Sequence, residues 1–202
     1  MCYIRGMNIL LNTGNREKRD EYTRIVARYN REQNAKISLE FCDYDVPEIQ
    51  SLSPAVVARQ KVSTVAQYYS AHSQYDLILA EDVGLSFRSL GAFPGALIKW
   101  AETVAQDDFL YRMSGEDKTA IVTVALASAY PVNQWEEIWC GTLSGTVIDT
   151  PVGEYGFGFD KVFVPTGYNR TIAQMAPSER DVFSPRAIAF RQMIEAYSYG
   201  KY

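Results

Sequence analysis

Apolar positions recur with two periods along this chain, and the alternation between the two periods lays out its elements. Met7–Asn12 is a short apolar run and predicts a buried first strand. From Arg16 onward, Tyr22, Ile25, Val26 and Tyr29 fall at i, i+3, i+4 and i+7, which predicts a helix. Lys36–Cys42 predicts a second strand, and the polar stretch Asp43–Leu52, with Pro47, a loop. Ser53-Pro54 predicts a helix start, serine as cap and proline in the first turn. Val62, Val65, Ala66 and Tyr69 form the buried stripe of that helix. Asp76–Ala80 predicts another buried strand, with Glu81-Asp82 just past its end. Gly91–Gly95 reads as a turn, and Ala96–Phe109 as a helix with Ile98, Ala101, Ala105 and Phe109 inward. Thr119–Ala127 and Trp135–Ile148 predict an antiparallel hairpin turning at Pro131–Asn133. A glycine-rich loop, Gly153–Gly158, then precedes a short strand, Val162–Val164. Ser184-Pro185 repeats the capping signature before a last helix carrying Phe190, Met193, Ile194 and Tyr197.

Helices alternating with strands give an α/β class with an antiparallel hairpin mixed in. No repeat or linker divides the 202 residues, so 1–202 reads as one domain, residues 1–6 forming a loose extension. His72 is the single histidine, and it lies in a polar stretch. That argues against His-rich zinc sites and against histidine-based triads. Cys2, Cys42 and Cys140 are too far apart for CxxC knuckles, and an odd, sparse count fits a reducing, cytoplasmic compartment. No apolar run approaches a membrane span, and no secretory leader is expected. A net charge of −4 lacks the basic footprint of a nucleic-acid binder. It leaves room for a small anionic ligand held by a few local cations.

Four stretches hold residues suited to such a ligand. Asn12–Lys18 runs from a strand through a tight turn into a helix start. Helix N-termini present free N–H groups to phosphates, and Thr13, Asn15 and Lys18 add polar and cationic side chains. The same residues also fit an ordinary capped turn. Glu81-Asp82 places two carboxylates where ligands gather in α/β sheets. They would suit Mg²⁺, or a solvated Asp-x-Gly turn. Glu48 and Lys61 read alone as surface charges. Gly153–Asp160 interleaves glycine with Tyr155, Phe157 and Phe159, so rings could stack on a planar base, or pack in the core at a hairpin corner. Arg180 and Arg186 flank Ser184-Pro185 and suit a phosphate, a base oxygen or a helix surface.

The order of these stretches is more specific than any one of them. Thr13-Gly14-Asn15-x-x-Lys18, Pro47-Glu48, Gln60-Lys61 and Glu81-Asp82 come first. Pro94-Gly95-Ala-Leu-Ile98-Lys99-Trp100, Gly153–Asp160 and Ser184-x-Arg186-Ala187 follow. The series resembles the inosine triphosphatase family of non-standard purine nucleoside triphosphate pyrophosphatases, over about Met7 to Tyr197. The resemblance implies an elongated mixed α/β fold, with a twisted sheet, flanking helices and two lobes around a central cleft. It also implies a homodimer and Mg²⁺-dependent hydrolysis of ITP, dITP or XTP to monophosphate and pyrophosphate. By the same resemblance, Thr13, Asn15, Lys18 and Lys61 bind phosphates, with Lys18, Lys61 and Asp82 catalytic. Glu48 and Asp82, supported by Glu81, bind the metal. Phe157, Phe159, Asp160, Arg180 and Arg186 form the base side, and Asp82 is the proton acceptor that readies water.

Some positions depart from the family pattern. Lys161 replaces a proline, Phe159 a tyrosine or tryptophan, and Glu179-Arg180-Asp181 the usual Glu-Lys-Asn. Pro185 stands where the family has a base-reading histidine. Two alternatives therefore stay open: a same-fold pyrophosphatase with altered base preference, and a non-catalytic nucleotide-binding protein.

Overall fold

The structure, a computed structural model, describes residues 6–69, 74–104, 109–131 and 136–198. His72, Ala105, Val132, Asn133, Trp135 and most of the expected N-terminal extension lie outside these residues. Seven strands form one mixed sheet: β1 (Met7–Asn12), β2 (Ile37–Cys42), β3 (Leu77–Phe87), β4 (Pro94–Gly95), β5 (Thr119–Ala129), β6 (Glu136–Val147) and β7 (Phe163–Pro165). Their order is β2-β1-β3-β5-β6-β7, with β4 pairing on β3. β1 lies parallel to both β2 and β3, and every other pairing is antiparallel. The helices are α1 (Arg16–Gln33), α2 (Pro54–Tyr68), α3 (Ile98–Val104), α4 (Phe109–Met113), α5 (Pro177–Arg180) and α6 (Pro185–Ser198). Among the described residues no helix is long and apolar enough to cross a membrane.

Side chains along a strand alternate between faces, and β3 uses this to serve two layers. Leu77 and Leu79 pack with Tyr22, Ile25 and Val26 of α1 and with Phe190, Met193 and Ile194 of α6. Ile78 and Ala80, one residue out of step, pack with Ala58, Val62 and Val65 of α2. A third cluster fills the far end of the long strands, with Leu85, Phe87, Ile98, Val122, Val147 and Phe163. Between the three clusters β3 carries Glu81, Asp82, Val83 and Gly84.

Most expected elements form, with shifted limits. The expected strand Asp76–Ala80 does not stop before Glu81-Asp82 but continues to Phe87, and Glu81 to Phe87 pair in register with Leu126 to Ala120. Glu81-Asp82 is therefore mid-strand and no Asp-x-Gly turn. The expected helix Ala96–Phe109 is described as two, α3 and α4. It begins only at Ile98, because the Ala96 and Leu97 N–H groups donate to the Leu52 and Pro94 carbonyls in a preceding turn. Asn15 caps α1, accepting from the Lys18 N–H at 3.1 Å. Ser53 makes no side-chain cap bond, and Pro54 alone marks that helix start.

Gly141 in β6 shows how closely α6 approaches the sheet. A Cβ there would overlap the Pro185 carbonyl at the start of α6. Gly141→Ala must push that backbone away, an overpacking cost of about 1–3 kcal/mol. The expected result is a lower urea midpoint with an unchanged m-value.

Candidate active site

A cavity of about 750 Å³ opens beside Glu81, Asp82 and Val83 of β3. It is lined by all the site residues expected from the sequence, among them Thr13, Asn15, Lys18, Glu48, Lys61 and the Glu81-Asp82 pair. Phe157, Phe159, Asp160, Arg180 and Arg186 line it as well. Chain positions more than 170 apart thus share one cleft.

The alternation of β3 divides the two adjacent carboxylates between layers. Glu81 continues the face of Leu77 and Leu79, toward α1 and α6. Its buried carboxylate receives four donors: Lys18 Nζ and Arg186 NH2 reach Oε1, each at 2.9 Å. Arg186 Nε reaches Oε2 at 2.8 Å, and the Tyr22 hydroxyl reaches Oε2 at 2.6 Å. Burial opposes ionisation of Glu81, but the Arg186 and Lys18 charges outweigh it and hold the carboxyl well below its usual range. Both oxygens of Glu81 are thus held by cationic and phenolic donors. Glu81, expected from the sequence to support a metal site, anchors Lys18 and Arg186 here.

Asp82 continues the other face, toward α2. The Lys61 ammonium sits between two carboxylates, 2.9 Å from Asp82 Oδ1 and 2.6 Å from Glu48 Oε1. Lys61 is thus no solvated helix residue, and Glu48 no isolated surface charge. Asp82 Oδ2 is buried and has no hydrogen-bond partner. Burial raises the Asp82 carboxyl, with Lys61 pulling the other way. No group of three or more His, Cys, Asp or Glu side chains gathers for a metal among the described residues. Two converging carboxylates, one with an orphaned oxygen, do fit Mg²⁺, which keeps waters and takes substrate phosphate oxygens as its remaining ligands.

At the other end of the cleft the two phenylalanines differ. Phe157 is 40 % exposed and offers an open ring, whereas Phe159 packs edge-on to Phe163 at 6.4 Å within the third cluster. Gly156, at φ 75°, leaves room for the Asp160 carboxylate and Arg180, which a Cβ would strike. Arg180 NH1 lies 3.5 Å from Asp160 Oδ2, and the Phe157 N–H donates to the same oxygen at 3.2 Å. Burial nonetheless pushes the Asp160 carboxyl up to about 6, against the Phe157 N–H and the Arg180 charge. Its folded value is above its unfolded one, so the stability it contributes is full below about pH 4 and is lost as pH rises through about 6. Asp160→Asn should flatten the Tm-against-pH curve over that window.

Arg186 does not present its guanidinium freely to a base. It is buried and tied to Glu81 and to Glu21, which also accepts from the Ser184 hydroxyl. The lining also includes Glu21, Tyr44, Lys99 and Ser184, for which the sequence alone suggests no binding role. Tyr22 was assigned only to the core. Glu21 and Tyr22 stand three and four residues after Lys18, a spacing that places all three on one helix face. Lys99 lies inside the Ile98-Lys99-Trp100 motif; burial opposes ionisation of Glu48, and Lys61, with a smaller part from the Lys99 charge, lowers its carboxyl.

Comparison with known proteins agrees with this architecture. The sequence pattern of the Ham1 family matches residues 9–196. The inosine triphosphate pyrophosphatase 2 of Trypanosoma cruzi is 34% identical over 192 residues, covering 90% of this chain and 87% of its own. The dITP/XTP pyrophosphatase of Methanopyrus kandleri is 29% identical over 192 residues, covering 95% and 96%. Among solved structures, a HAM1 protein from Coxiella burnetii superposes with a TM-score of 0.74 at 21% identity, covering 96% of this chain and 100% of that one. The nucleoside-triphosphatase / dITP/XTP pyrophosphatase from Mycobacterium abscessus superposes at 0.67 with 26% identity, covering 93% and 97%. With the match spanning nearly its whole length, the chain belongs to the Ham1 family.

Proposed function

We propose that this chain is a Mg²⁺-dependent nucleoside triphosphate pyrophosphatase that hydrolyses ITP, dITP and XTP to monophosphate and pyrophosphate. The observation that carries the reading is the division of Glu81 and Asp82. It sets Lys18 and Arg186 on one wall and the Lys61–Asp82–Glu48 cluster on the other. The α1 N-terminus, with Thr13 and Asn15, adds N–H and side-chain donors for the polyphosphate. Lys18 and Lys61 each give up a carboxylate partner to a phosphate oxygen. Glu48 and Asp82 would hold Mg²⁺, which neutralises charge developing on the phosphates when bound. Asp82 takes the proton of the water that attacks the α-phosphorus, its basicity favoured by burial. Phe157 stacks on the purine, and Asp160 and Arg180 meet its polar edge. The relatives' printed names support the substrate class, and the proposal extends to a cytoplasmic homodimer.

A non-catalytic binder is disfavoured by Asp82 Oδ2, a buried carboxylate oxygen that a passive site has no reason to leave unpaired. The second reading, altered base preference, is favoured by Pro185, which lines the cleft without a side-chain donor. Pyrophosphate release measured across ITP, XTP, dITP, GTP and ATP with MgCl₂ separates the readings. A kcat/KM about a hundredfold higher for ITP and XTP than for ATP and GTP is expected, because polar groups left unpaired reject the wrong base strongly. Equal values across the panel establish altered preference, and no release from any nucleotide removes the enzyme.

A further inference from the structure

Tyr22 lies one helical turn after Lys18 and is fully buried. Its ring meets Phe190 edge-on at 6.3 Å, and the Arg186 guanidinium carbon stands 5.7 Å from its centroid. Packing would be served as well by phenylalanine. The hydroxyl has a separate partner, Glu81 Oε2 at 2.6 Å.

Glu81 is the carboxylate that holds Lys18. On the proposed function, Lys18 must leave it for a phosphate oxygen. A buried carboxylate that loses a donor is costly unless others remain. With Tyr22 present, Glu81 keeps two donors from Arg186 and one from the phenol after Lys18 departs. Without the phenol, Oε2 keeps one donor and the carboxylate holds Lys18 harder. We propose that Tyr22 is a positioning residue, whose hydroxyl keeps Glu81 satisfied so that Lys18 can turn to an incoming polyphosphate. This goes beyond the assignment of Lys18 as a phosphate ligand and rests on it.

The test is calorimetric binding of inorganic pyrophosphate, which needs no turnover, alongside steady-state hydrolysis of ITP. Tyr22→Phe should weaken pyrophosphate about tenfold, the scale of one lost charge-assisted hydrogen bond. It should raise KM by a similar factor and leave kcat within about twofold, as for an interaction used in binding. In a Lys18→Met background the same change should add little, since the two residues act through one carboxylate. Phe190→Leu, which disturbs the ring packing and leaves the hydroxyl, should lower Tm without weakening pyrophosphate. The proposal is overturned if Tyr22→Phe lowers Tm with unaltered pyrophosphate affinity. It is also overturned if Phe190→Leu weakens pyrophosphate equally, if the effect persists in full beside Lys18→Met, or if the parent chain binds no pyrophosphate. Absence of ITP hydrolysis with the tenfold binding difference intact would remove the proposed function and leave this role standing.

Discussion

Asp82→Asn is expected to lower kcat by about a thousandfold while leaving the protein at least as heat-stable as the parent. The loss follows from removing the proposed proton acceptor, worth about 10²–10⁴ in rate, together with one of the two carboxylates proposed for Mg²⁺. The stability follows from burial. Asp82 carries its charge in a site where one oxygen finds no partner and where desolvation raises its carboxyl. An amide of nearly the same shape still accepts from Lys61 through its oxygen and carries no charge to desolvate. Glu48 keeps the lysine paired, 2.6 Å away. A functional site often holds such a locally unfavourable group, and neutralising it exchanges activity for stability. Steady-state kinetics with ITP and a thermal scan on one preparation measure both halves. A sharp fall in Tm would mean that Asp82 holds the sheet to α2, and near-parental kcat would remove it from the chemistry.

Arg186→Ala is expected to have the largest effect on stability, about 3–5 kcal/mol, because it strips a buried ion pair of one partner. Glu81 would lose two of its four donors, and Glu21 its guanidinium contact. The pH dependence gives a second signature. In the parent chain the folded Glu81 carboxyl lies below its unfolded value, though burial alone would raise it, because Arg186 and then Lys18 outweigh desolvation. The stability this contributes is present above about pH 4 and is lost as pH falls from there toward the folded value. Removing Arg186 should shrink that acid loss, leaving the part that Lys18 and Tyr22 sustain, so the gap between variant and parent narrows in acid. Urea midpoints at pH 7.5 and about pH 2.5, well below the unfolded carboxyl value, check this, and an equal gap at both pH values would contradict it.

The helices and strands of the first and last thirds were legible because their apolar spacing is regular. Tyr22, Ile25, Val26 and Tyr29 mark α1, and all four are buried. What the pattern hid was the length of β3. Two successive carboxylates and a glycine look like a turn to any local reading. The strand tolerates them because its alternation sends Glu81 to α1 and α6, and Asp82 to α2, where cations wait. Those cations come from residues 18, 61 and 186, and one-dimensional spacing holds no trace of which meets which. Motif order named residues that the fold gathers around one cleft, and spacing alone did not show which of them pair. Phe157 and Phe159 look alike in sequence, yet only Phe157 keeps an open ring, because Phe159 is two residues on and packs against Phe163. Tyr22 was readable as core from its spacing, while its hydroxyl's partner is fixed only by the approach of β3.

If the cleft works as proposed, it breaks the bond at the α-phosphorus. Hydrolysis of ITP with Mg²⁺ in H₂¹⁸O, followed by ³¹P NMR, tests it most directly. The expected products are inosine monophosphate and pyrophosphate, with the heavy oxygen in the monophosphate. Orthophosphate with a diphosphate nucleotide, or the label in pyrophosphate, would contradict it.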